Sequence, residues 1–166
     1  MSDQLAIPPL TMCVSKATLA ASGAATTWST TGATLYAIKG KAYSTAAGSS
    51  AASPTSDAAK GTTFASAPLA ANTGTVFVWA YNGGGTAATA VRVAQGTVEA
   101  LDVAGNFINA PQFPNMSDDL CPFAYTIVRA GSTASAWTFG TSNWNATGIT
   151  VAHQDLMTLP GRPQVA

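Results

Sequence analysis

Charge is what this sequence has least of. Asp, Glu, Lys and Arg make up 8% of its 166 residues, against about 25% in an ordinary soluble domain. The 7 basic and 7 acidic side chains cancel and no Lys/Arg run occurs, so the electrostatic footprint of a nucleic-acid binder is missing. No stretch approaches the ~18 consecutive apolar residues of a membrane-spanning helix. Neither nucleic acid nor a membrane is therefore expected as a partner. Cysteine occurs twice, as Cys13 and Cys121, without CxxC or Cys/His ligand spacing. That argues against zinc and against a redox motif, and both thiols read as small buried hydrophobes, with a disulfide between them left open. The first ten residues carry no basic or apolar segment of a secretory signal, so synthesis and folding in a cytoplasm are expected. The acceptor-like triplets at Asn115 and Asn145 then carry no weight.

What the chain has instead is Ala, Thr, Ser and Gly, and hydroxyls and amides must keep it in solution. Such a surface has little electrostatic repulsion to hold neighbours away, which suits a protein packed against other protein surfaces. Residues 1–16, with Ile7-Pro8-Pro9-Leu10, read as an extended N-terminal arm because proline fixes φ and restricts its predecessor. Residues 17–166 read as a single β-rich domain, since no apolar stripe at helical period lasts beyond two turns. The expected fold is all-β, a sandwich or jelly-roll-like barrel with long irregular loops.

Alternation predicts strands over residues 34–39 and 41–45, broken at Gly40. The strongest strand signal is residues 75–81, rich in β-branched and aromatic side chains and closed by Asn82-Gly83, a hairpin signal that predicts residues 88–95 as its partner. Further strands are expected over 97–101, 122–129, 136–140 and 148–155. Residues 46–62 read as a long surface loop with almost nothing to bury.

Chemistry is sparse. His153 and Asp155 share a strand face, the spacing of an imidazole oriented by a carboxylate, but no Gly-x-Ser-x-Gly elbow supplies a nucleophile. His153 is accordingly expected at the strand surface. Asp118 and Asp119 read as a solvated turn, because no Asp-x-Asp-x-Asp-Gly loop accompanies them. Gly83-Gly84-Gly85 lacks the Lys-Ser/Thr of a phosphate loop. No catalytic residue, metal ligand or cofactor is assigned. Trp28, Trp79, Trp137 and Trp144 are the richest constellation; Trp79 is expected in the core, and Trp144, in a polar run, is placed on a loop, where it either packs locally or touches a partner.

The stretches Asn106-Phe-Ile-Asn-Ala-Pro-Gln-Phe-Pro, Asp119-Leu-Cys-Pro-Phe-Ala-Tyr-Thr-Ile-Val-Arg-Ala-Gly-Ser-Thr and Trp137-Thr-Phe-Gly-Thr-Ser-Asn-Trp-Asn-Ala-Thr-Gly resemble a block of small virion structural proteins of tailed bacteriophages, as does the closing Asp155-Leu-Met-Thr-Leu-Pro-Gly-Arg-Pro. The resemblance runs over roughly residues 75–166. It implies a capsid decoration, or cement, protein on the head exterior, a β-module often trimeric, with the major capsid protein and itself as partners. Its expected contact residues are Ile7, Pro8, Pro9 and Leu10 in the arm, and Trp144. A head-fibre or tail-fibre module reading carbohydrate through Trp28, Trp137 or Trp144 is the alternative reading.

Overall fold

The computed structural model describes residues 10–21 and 26–156. They form eleven strands: β1 (Met12–Cys13), β2 (Leu19–Ala20), β3 (Thr27–Thr30), β4 (Thr34–Ile38), β5 (Lys41–Thr45), β6 (Ala51–Ala52), β7 (Thr73–Tyr81), β8 (Val91–Gln95), β9 (Glu99–Ala100), β10 (Cys121–Ala130) and β11 (Ile149–Asp155). One helical turn, α1 (Ala87–Ala90), precedes β8. All strand pairs are antiparallel. The largest sheet runs β11-β10-β7-β8 with β9 beside β7, and two small sheets run β1-β4-β5 and β2-β3-β6. The sheets do not close into a barrel, and the fold is all-β and sandwich-like.

Aromatic side chains alternating along β7 join these layers. Phe77, Trp79 and Tyr81 point inward and are almost wholly buried. Tyr81 stacks on Tyr36 of β4 at 4.9 Å and on Phe123 at 4.1 Å, while Trp79 meets Trp28 of β3 at 5.7 Å. Phe123 reaches Tyr81 because the register of β10 slips between Pro122 and Ala124, a bulge that turns one extra side chain inward. On the opposite face of the large sheet, the connection after β9 crosses the strands. Phe107 lies against Gly74, where a Cβ would meet its ring, and its ring faces the Arg129 guanidinium at 5.2 Å.

Several expectations are corrected. Residues 10–16 are not free of the domain: β1 pairs with β4 and Cys13 is buried. Residues 46–62 are not a surface loop throughout, since β6 pairs with β3 and Ser53 and Asp57 are buried. Small residues permit this approach; a Cβ on Gly48 would come within 2.7 Å of the Trp28 ring. The β7–β8 pairing forms as expected, but through residues 82–90 rather than a tight turn. The N–H of Thr86 donates to Thr89 Oγ1 at 3.0 Å and the N–H of Ala90 to the Thr86 carbonyl at 2.8 Å, winding α1 where a strand was expected. Residues 136–140 form no strand; Trp137 makes one bridge to Leu69, and Trp137 and Phe139 serve as plugs of the core. The break at Gly40 is a two-residue hairpin turn, with Lys39 and Gly40 both at positive φ (50° and 77°).

Candidate interaction surface

Trp144 lies inside the aromatic core and is 4% exposed. Its Nε1–H donates to the Thr27 carbonyl at 3.1 Å, and its ring packs on Trp137 and Phe139, each at 5.4 Å. A partner contact from a loop, as the sequence suggested, is not what this placement offers. Trp28, Trp79 and Trp137 are buried as well, so none of the four indoles presents a face to solvent.

His153 is half-buried rather than on the surface. The Trp79 indole N–H donates to Thr126 Oγ1 at 2.8 Å. The Thr126 hydroxyl then donates to His153 Nδ1 at 2.8 Å, which leaves Nε2 to carry the proton and donate to the Ala21 carbonyl at 3.0 Å. Burial holds the imidazole pKa below its ordinary 6.5. Asp155 does not orient this ring through a hydrogen bond; its Oδ1 accepts the Leu19 N–H at 3.0 Å and its Oδ2 lies 3.8 Å from Lys16 Nζ. Rather than forming a catalytic dyad, the two side chains pin residues 16–21 to the sheet. No group of three or more His, Cys, Asp or Glu side chains is arranged to hold a metal ion among the described residues.

Ile7, Pro8 and Pro9 lie outside the described residues. Leu10 is exposed, its carbonyl accepting the Gly40 N–H at 3.0 Å. Further along the chain, the N–H groups of Val14 and Ser15 both donate to the Leu35 carbonyl, at 2.8 and 3.2 Å, which sets Val14 beside Leu35. Both side chains are exposed, Leu35 because Tyr36 and Ile38 take the inward positions of β4. Val14 and Leu35 thus form an exposed apolar corner where the arm joins the domain, with Leu10 at the other end of the β1–β4 pairing beside Gly40. Beside Leu10 lies a cleft of about 500 Å³, with Leu10, Thr11 and Lys39 on one wall and Met116, Ser117, Asp118, Leu120 and Pro122 on the other. The alternation of residues 34–39 already assigned Leu35 and Lys39 to one face; only the pairing of β1 with β4 added Val14. Three further exposed apolar side chains, Val103, Ile108 and Phe113, lie on the connection crossing the outer face of the large sheet, and Val98 lies just before β9.

No protein-family model, curated protein or solved structure matches this chain.

Proposed function

We propose that this protein is a structural component of a tailed-phage virion, a decoration protein that seats on the exterior of the assembled head and stabilises it. The observation that carries the reading is the row of exposed apolar side chains Leu10, Val14 and Leu35 along the β1–β4 pair, continuous in sequence with Ile7-Pro8-Pro9. The resemblance of residues 75–166 to small virion proteins supports the same reading. The mechanism is mass action: a protein that binds the assembled shell and not its separate subunits shifts the equilibrium toward assembly. Contacts to several subunits gain from effective concentration once the first forms, and self-association as a trimer would supply three such rows. The alternative fibre reading loses its stacking faces, since Trp28, Trp137 and Trp144 are buried.

The test is to make heads lacking the protein, add it back, and follow DNA release on heating. Heads carrying it are expected to hold their DNA to a higher temperature. Equal release with and without the protein rejects the decoration role.

A further inference from the structure

We propose that the groove bounded by residues 59–60, 95–98 and 112–115 is a binding site for a neutral sugar, independent of how the protein attaches to a particle. The groove has a volume of about 580 Å³, within the ~300–1,000 Å³ of small-ligand clefts.

Its walls are fixed before any ligand arrives. The carbonyl of Gln112 sits where a Cβ on residue 96 would stand, so Gly96 is what permits the two walls to meet. The Thr97 N–H donates to the Gln112 carbonyl at 3.1 Å, and the Gln112 N–H donates to Thr97 Oγ1 at 2.8 Å. On the third wall, Asp57 Oδ1 accepts the N–H groups of Ala59 and Lys60 at 2.9 and 3.3 Å, and Oδ2 accepts the Gln95 N–H at 3.4 Å.

The lining selects the ligand class. Lys60 is the only charged side chain of the groove, and its Nζ lies 3.6 Å from the Asp57 carboxylate, so an anion finds no uncompensated cation. The backbone groups that an added peptide strand would use are spent, Thr97 on Gln112 and the Gln95 N–H on Asp57. Side-chain amides remain. Gln95 is 4% exposed, yet its carboxamide makes no hydrogen bond among the described residues, and Gln112 and Asn115 also line the groove. A carboxamide both donates and accepts, which matches hydroxyls that do the same. Phe113, 60% exposed and held edge-on against Tyr125 at 5.3 Å, supplies the apolar platform for the C–H face of a pyranose ring.

The experiment titrates the full-length ¹⁵N-labelled protein separately with maltotetraose, chitotetraose and mannotetraose, to roughly 10 mM, the weak end of specific recognition. At least one is expected to shift amide signals confined to the three walls. Phe113→Ala and Gln112→Ala, both changes at the groove surface, should each weaken that binding about tenfold or more while leaving the melting temperature unchanged. The proposal is overturned if no sugar shifts the groove, if the shifts survive both substitutions, or if a sulfated oligosaccharide or a proline-rich peptide occupies the groove more tightly than every neutral sugar.

Discussion

At the scale of single residues, His153 couples acidity to stability. Its pKa is depressed in the fold, so below about 6.5 the unfolded chain takes up a proton that the folded chain refuses. The stability that neutral His153 contributes is complete above that pH and is lost as pH falls through the depressed folded value. Chemical denaturation of the wild type should therefore show a falling midpoint from pH 7.5 to 5. His153→Gln should lower the unfolding free energy at pH 7.5 by about 1–3 kcal/mol for the orphaned partners, and flatten the acid dependence. An unchanged slope would remove His153 as its source. The two thiols are inert for a related reason. Burial raises the pKa of Cys13 and pushes that of Cys121 up to about 12, and both are free and buried. Dithionitrobenzoate at pH 8 should label neither in the native protein and both in denaturant.

At the scale of elements, close approaches decide what each segment can do. The crossing connection lies against the large sheet through Gly96, where a methyl group would collide with the Gln112 carbonyl and Val76. Gly96→Ala should cost about 1–3 kcal/mol by thermal or denaturant unfolding. A smaller effect would show that the connection is free to lift. β1 and β4 make a different kind of element, whose outward side chains contribute little to the core. Leu35→Ser and Val14→Ser should change stability by no more than about 0.5 kcal/mol, yet reduce occupancy on heads if this corner is the contact. Trp144→Ala makes the contrast, with a loss of about 3–5 kcal/mol from the cavity it leaves.

For the whole molecule, scarcity of charge sets the expected character of attachment. With 7 basic and 7 acidic residues in 166, few ion pairs are present for salt to screen. Add-back to decoration-free heads, measured at low and high ionic strength, should give similar occupancy. Detachment at moderate salt would reject attachment through apolar and backbone contacts. The same scarcity predicts self-association at micromolar concentration, and light scattering that reports a strict monomer both free and on addition of heads would count against it.

By itself the sequence determined the all-β character, the long strand through Phe77, Trp79 and Tyr81, its partner β8, a further strand at β10, and the break at Gly40, which the structure turns into a hairpin. Each of these is written locally, as alternation, β-branched content or a turn that needs positive φ. Burial of Cys13, Cys121 and Trp79 followed from residue type. Tertiary structure alone decided the rest, because the deciding partner lies far along the chain. Trp144 sits in a polar run, and only Thr27, with Trp79, Trp137 and Phe139, draws it inward. Asp57 lies in a stretch with little to bury, until the N–H of Gln95 gives its carboxylate a buried partner. His153 has an unremarkable strand around it, and its tautomer is set by Thr126 and Ala21. The apolar corner needed β1 to be paired with β4, and the groove needed Gly96 to lie under Gln112. Local pattern reports which face a side chain takes; what stands opposite that face is fixed only when the sheets meet.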